Sequence, residues 1–264
     1  MNCITSITPA ICKLMDIPLP SLSETTLINA LMEDARTKES GRVERCLVFA
    51  PDAIGSKIYE THSELFQKVL DHAYLDVPMR SVYPPVTPVC FASMFTGAMP
   101  DCHGIGRYEK PVLQCDTLFD ALIRAGKKVA IVAVEGCSIS LIFRNRVMDY
   151  FVEPYDTEVT GRTIQLIEQD RHDFILAYNQ EYDDTLHRTT PNSVEAIQAL
   201  KNNIDNFDKI AQACEVHWKG HNRLIMFTPD HGAHIDPTSG KGMHGEDIPE
   251  DMLVNHFYAC RQFG

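Results

Sequence analysis

The chain has 264 residues, of which 44% are hydrophobic and 23% charged, with a formal net charge of -12. That length suffices for one substantial core, and the acidic balance disfavours nucleic acid or an anionic membrane as a general partner. A small anionic substrate stays open, because bound cations would reverse the sign locally.

Residues 1–23 carry prolines at 9, 18 and 20 and read as an irregular lead-in with one short helix. Leu27, Ile28, Leu31, Met32 and Ala35 then fall on one helical face, followed by a charged loop from Arg36 to Glu44. Four apolar runs, Cys46–Ala50, Val129–Val134, Phe174–Tyr178 and Leu224–Phe227, are too short for helices and read as strands buried on both faces. A further short strand is expected at Ser81–Tyr83. Between the strands, helical spacing recurs over 65–73, over 118–123 with Asp116 as its cap and Gly126 as its stop, and over 160–169. A long helix carries Val194 to Cys214 on one face, opened by Asn192 and Glu195 as a capping box. Strands alternating with helices predict an α/β fold with a mostly parallel sheet, in one domain over residues 1–264.

Nine cysteines are scattered without a CxxC pair, which points to a reducing, cytoplasmic setting. No signal peptide is evident at the N-terminus, and no apolar stretch approaches the length of a membrane span.

The polar residues of interest sit where the apolar runs end. Pro84-Pro85-Val86-Thr87-Pro88 presents one hydroxyl on a turn just before a helix that closes at Gly97 and Pro100. Proline on both sides excludes a strand or helix interior there. Thr87 either caps that helix or acts as a nucleophile beside its positive end. The strand at 46–50 runs into Asp52, that at 174–178 into Asp183 and Asp184, and that at 224–227 into Asp230. In open α/β sheets ligands sit outside the carboxyl ends of the strands, so these carboxylates share a rim. His187 follows Asp183 by four residues, which on a helix puts both on one face. His231 adjoins Asp230, and His244 lies in a glycine-rich segment. Taken singly each could be a cap, a turn or a surface residue. Three Asp and three His together offer N and O ligands for two divalent ions of zinc type.

These residues resemble the alkaline phosphatase superfamily, in particular its type I phosphodiesterase/nucleotide pyrophosphatase branch. The carriers are Thr87 with Thr96-Gly97, Pro100 and His103-Gly104-Ile105, then Asp183-x-x-x-His187, Asp230-His231-Gly232 and His244-Gly245. The resemblance implies a three-layer α/β/α core without a large cap domain. It implies that Asp52, Asp230 and His231 hold one metal, touched by Thr87, and that Asp183, His187 and His244 hold the other. The ions would be zinc, with manganese or iron as alternatives. Thr87 would be the nucleophile, forming a covalent phospho-enzyme that water hydrolyses, on a small phosphate-ester substrate (phosphodiester, pyrophosphate or phosphomonoester). Tyr108 stands where nucleotide pyrophosphatases place an Asn, 21 residues after the nucleophile, and Ala53 stands where a Gly commonly follows the Asp. Tyr108, Lys110 and Lys241 are candidate substrate contacts, His234, Asp236 and Glu246 candidate partners of the ligands, and His103 a structural residue. The alternative is a non-catalytic relative that binds metal or a small anion. The sequence leaves the oligomeric state open.

Overall fold

The computed structural model describes residues 1–38 and 41–262, so part of the loop read at Arg36–Glu44 and the last two residues lie outside the described residues. The described residues form ten strands: β1 Asn2–Cys3, β2 Arg45–Pro51, β3 Leu75–Arg80, β4 Val129–Val134, β5 Asp149–Glu153, β6 Phe174–Asn179, β7 Arg223–Phe227, β8 His234–Ile235, β9 Gly242–Met243 and β10 Leu253–Arg261. Eight form one sheet in the order β1-β3-β10-β7-β2-β6-β4-β5, and β8 pairs with β9 in a separate antiparallel hairpin. Every pairing in the large sheet is parallel except those of β10, which runs antiparallel to both β3 and β7.

The four apolar runs are the strands β2, β4, β6 and β7, and their consecutive buried residues mean that both faces are covered. Side chains alternate across the sheet, so Phe49 of β2 and Tyr178 of β6 point to opposite faces. Phe49 stacks on Phe227 at 5.6 Å between ring centroids and leads an aromatic cluster with Phe66, Phe207 and Phe257. On the other face Tyr178 meets Phe91 edge-on at 5.5 Å, and Phe91 stacks on Phe95 within a cluster that includes Phe119 and Phe143. Two helix groups supply these layers. The helices Asp156–Gln169, Glu181–Arg188 and Val194–His217 pack on one another, and Ile7–Met15, Ser138–Ile142 and Thr87–Thr96 form the second group.

Several local expectations are corrected. The strand expected at 81–83 ends at Arg80, and β3 alternates between exposed and buried, a pattern that Asp76, Pro78 and Arg80 make polar. The helix Leu118–Arg124 is capped by Thr117 in a reciprocal box with Asp120, whereas Asp116 binds Arg124 and the Ser21 amide. The long helix is capped by Ser193, whose hydroxyl accepts from the Ala196 amide, while Asn192 meets His62. The helix expected over 65–73 is a 3-10 turn, Ser63–Phe66, followed by one and a half turns of α-helix, Gln67–His72. All nine cysteines are free, and no described helix is long and apolar enough to cross a membrane.

One buried histidine ties β10 to the end of β7. His256 Nε2 donates to the Pro229 carbonyl at 2.7 Å, and its Nδ1 accepts from Tyr258 Oη at 2.9 Å. Burial pulls its pKa down to about 4. The unfolded chain therefore binds a proton below about pH 6.5 that the folded chain refuses until about pH 4, so this contribution is complete above pH 6.5 and is lost as pH falls. Between pH 7 and pH 5, metal-free wild type should lose about 2 kcal/mol more stability than His256→Gln in denaturant titrations. Parallel pH profiles for the two proteins would contradict this.

Candidate metal centre and nucleophile

β7, β2 and β6 are adjacent and parallel, so their carboxyl ends lie side by side. β2 delivers Asp52 one residue past its end, and the Asp52 amide donates to the Asn179 carbonyl of β6. β7 delivers Asp230 and His231 three and four residues past Phe227. β6 is followed by the helix Glu181–Arg188, whose N-terminus is fixed by the buried carboxylate of Asp156 accepting from the Gln180 and Glu181 amides. That helix presents Asp183 and His187 one turn apart. The β8–β9 hairpin brings in His244, whose ring lies 4.1 Å from that of His231 and 5.0 Å from that of His187.

The six residues fall into two groups, Asp52, Asp230, His231 and Asp183, His187, His244, each with candidate ligand atoms within 4.8 Å of one another. In the first group His231 Nε2 lies 3.4 Å from Asp52 Oδ1 and 3.4 Å from Asp230 Oδ2. In the second, Asp183 Oδ1 lies 3.3 Å from His187 Nε2 and 3.5 Å from His244 Nε2, and the two Nε2 atoms are 3.1 Å apart. Around a tetrahedral ion with bonds of about 2.0–2.1 Å, ligand atoms sit about 3.3–3.4 Å apart. The five distances given, from 3.1 to 3.5 Å, bracket that spacing.

The chemistry of the donors agrees with the spacing. Each histidine Nδ1 faces a backbone carbonyl at 3.0 Å: Gly232 for His231, Gly242 for His187 and Pro85 for His244. A carbonyl only accepts, so each Nδ1 carries the proton and each Nε2 turns a lone pair inward. Two such lone pairs 3.1 Å apart repel unless positive charge lies between them, a proton in the protein alone or a bound cation. Asp52 Oδ1, Asp230 Oδ2, Asp183 Oδ1 and His231 Nε2 are all buried without a hydrogen-bond partner. Gly242 makes one of these contacts possible, since a Cβ there would come 2.5 Å from the Leu186 carbonyl oxygen of the helix that carries His187.

In the protein alone the two groups are unequally compensated. Burial, then the charge of Asp183, raises the Asp52 pKa to about 7. Asp230 is raised well above the carboxylate range by burial and next by Asp52. Burial would also raise Asp183, but the imidazoles of His187 and His244, 3.3 and 3.5 Å from its Oδ1, outweigh it and hold its pKa below the usual value. His187 rises to about 9 chiefly through the Asp183 carboxylate beside it; burial lowers His244, but the same carboxylate outweighs it and raises the pKa. His231 is driven well below its ordinary value, first by burial and then by His244. In the first group burial and the neighbouring carboxylates push both acids toward the protonated form, the situation that a divalent cation relieves.

Thr87 is the first residue of the helix Thr87–Thr96, 5% exposed, and its hydroxyl donates to Asp52 Oδ2 at 3.3 Å. It does not cap that helix, since Val86 stands at the cap with no side-chain hydrogen bond. Thr87 and Asp52 line a cleft of about 170 Å³ with Tyr108, Lys110, Tyr178 and Gln180. Tyr108 is 62% exposed at its mouth, and Lys110 Nζ donates to the Gly136 carbonyl at 3.1 Å. Lys241 does not line this cleft; it lies in the exposed turn of the β8–β9 hairpin. Asp184 is drawn away from the histidines by Tyr155 and the Gln180 side chain, both of which bond its Oδ2.

The supporting contacts differ from those expected. His234 binds the buried Asp251 at 2.8 Å, Asp236 accepts turn amides, and Glu246 touches none of the six ligands. Backbone carbonyls orient the ligand histidines instead, and side-chain patterning carries no signal for them. His103 does have the structural surroundings expected of it: Nδ1 accepts from the Ile105 amide, Nε2 meets Ser93 Oγ at 2.8 Å, and burial lowers its pKa to about 4. Tyr178, whose hydroxyl bonds Asp52 Oδ2, was not anticipated. Its only trace in the sequence is a phenol at the end of an otherwise apolar run.

The sequence over residues 49–256 matches the family described as type I phosphodiesterase/nucleotide pyrophosphatase. No curated protein matches the chain. Among solved structures, an inactive Thr-to-Ala variant of murine ectonucleotide pyrophosphatase/phosphodiesterase 5 in complex with AMP superposes with a TM-score of 0.61 at 15% identity, over 74% of this chain and 59% of that one. The human counterpart gives 0.59 at 14% identity, over 74% and 59%. Phosphonoacetate hydrolase from Sinorhizobium meliloti 1021, in complex with phosphonoformate, gives 0.57 at 15% identity, over 75% and 59%. At these identities the likeness concerns the alkaline-phosphatase-like fold, and the chain spans about three fifths of the length of those proteins. With four fifths of its length matched by the family model, the chain belongs to the type I phosphodiesterase/nucleotide pyrophosphatase family.

Proposed function

We propose that the chain is a metal-dependent hydrolase of phosphate esters, acting through Thr87 with two divalent cations, zinc first and manganese or iron as alternatives. The observation that carries this reading is the pair of ligand triads, with buried unpartnered donor atoms, beside a hydroxyl on a helix N-terminus. Family membership supports the reaction class. The neighbours bound to AMP and phosphonoformate support a small phosphorus-containing anion as substrate. The domain is proposed to act without a large cap, in a reducing, cytoplasmic setting that suits nine free cysteines.

When bound, the cations would neutralise the attacking and leaving oxygens and lower the pKa of a water toward 7. Asp52, Asp230 and His231 would hold one and Asp183, His187 and His244 the other. Thr87 Oγ1 attacks phosphorus, and the bond from phosphorus to the leaving group breaks. Water then attacks phosphorus and the bond to Oγ1 breaks, returning Thr87. The helix N-terminus favours negative charge on Oγ1 as its proton is released to solvent. The leaving oxygen takes up a proton in the first step, and a proton of the attacking water returns to Oγ1 in the second. Tyr108 and Lys110, at the cleft, are positioned to donate hydrogen bonds to substrate oxygens. Lys241 is not retained as a substrate contact.

Two outcomes are expected. Thr87→Ala should lower turnover by several orders of magnitude with metal content nearly unchanged, and Thr87→Ser should keep part of the activity. Near-normal turnover of a fully loaded Thr87→Ala protein would mean that water attacks directly. Elemental analysis of protein purified without chelator should find about two divalent ions per chain, and Asp183→Asn should lose one of them while retaining the other. Loss of both ions, or of neither, would refute the grouping.

A further inference from the structure

The two carboxylate oxygens of Asp52 have different surroundings. Oδ1 is buried, has no hydrogen-bond partner and lies 3.4 Å from His231 Nε2. Oδ2 accepts from Thr87 Oγ1 at 3.3 Å and from Tyr178 Oη. The torsion about the Cβ–Cγ bond of an aspartate is broad and roughly two-fold, so hydrogen bonds decide which way the carboxylate faces. Here two hydroxyl donors occupy Oδ2 and leave Oδ1 directed at His231 and Asp230.

We propose that Tyr178 is a positioning residue for Asp52, its hydroxyl holding Oδ2 so that Oδ1 stays directed at the cation site. The inference rests on the reading of Thr87 as nucleophile in one respect. Once Oγ1 has become an ester oxygen it has no proton to donate, and Tyr178 is the remaining donor on Oδ2. Tyr178 is suited to this, because its ring is buried, wedged edge-on against Phe91, and its hydroxyl has no other hydrogen-bond partner among the described residues. Partners that orient a metal ligand typically change metal affinity or activity by about 10–100-fold when removed.

Tyr178→Phe keeps the ring against Phe91 and removes the hydroxyl alone. Metal-free wild type and variant would be titrated with zinc or cobalt(II), and their melting temperatures, kcat and KM compared. One of the two ions should bind about 10–100-fold more weakly and the other unchanged. The value of kcat should fall by a similar factor with KM little moved, and the melting temperature of the metal-free protein should hold. Tyr155→Phe, whose hydroxyl bonds Asp184 and not a ligand, should leave both affinities at the wild-type level. A Tyr178→Phe protein identical to a two-ion wild type overturns this inference alone. Equal weakening at both sites with a lowered melting temperature also overturns it, leaving Tyr178 a packing role. A wild type that binds no cation removes the proposed function and this inference together.

Discussion

Three carboxylates, Asp52, Asp183 and Asp230, converge in a region from which water is largely excluded, and no arginine or lysine pairs with any of them among the described residues. A buried, unpaired carboxylate is costly and ordinarily escapes by taking up a proton. That the fold nevertheless brings three carboxylates together, with only Asp183 of them compensated by neighbouring imidazoles, is the constraint on which the rest of the structure depends. In the protein alone it is met by protons, with Asp52 raised to about 7 and His187 to about 9. Cations at the two groups would meet it more completely, since each supplies two charges where a proton supplies one.

Much of the surrounding architecture serves to fix these groups. Asp230 Oδ1 accepts from the amides of Ala53 and His231, which leaves Oδ2 toward the cluster. The Asp230 carbonyl accepts from Ser81 Oγ at 2.8 Å, and the preceding Pro229 carbonyl accepts from His256. Gly232 lies so close to Gly55 and the Glu250 carbonyl that a side chain would not fit, and its own carbonyl holds His231. Ala53 adopts a φ of 62°, a conformation that favours glycine. Backbone strain of this sort, stored beside functional groups, costs of the order of 1 kcal/mol and persists where neighbouring contacts over-determine it.

The fold was legible where one physical signal dominated. β2, β4, β6 and β7 are buried on both faces, so their sequences are unbroken apolar runs, and the polar residues just beyond three of them are the ones that converge. β3 and β5 are partly exposed, and their alternation is blurred by proline and charge. β10 sits between β3 and β7 as the one antiparallel member, a placement set by tertiary packing that no local pattern encodes. The helix starts were misplaced by one residue at Thr117 and Ser193, because several neighbouring residues there can cap and geometry selects among them. At the site, the spacing of Asp183 and His187 follows from helical periodicity. The carbonyls of Gly232, Gly242 and Pro85 could not be read, since every residue has one. Lys241 lies exposed in the turn of the hairpin, a placement that its residue type alone does not reveal.

The most direct measurement is anomalous X-ray diffraction at the zinc edge, from crystals of the unmodified chain grown with zinc. Two peaks are expected, one among Asp52 Oδ1, Asp230 Oδ2 and His231 Nε2 and the other among Asp183 Oδ1, His187 Nε2 and His244 Nε2. Each should lie about 2.0–2.2 Å from its ligand atoms. A map with no peak at either group, or with one ion shared by all six residues, would contradict the account.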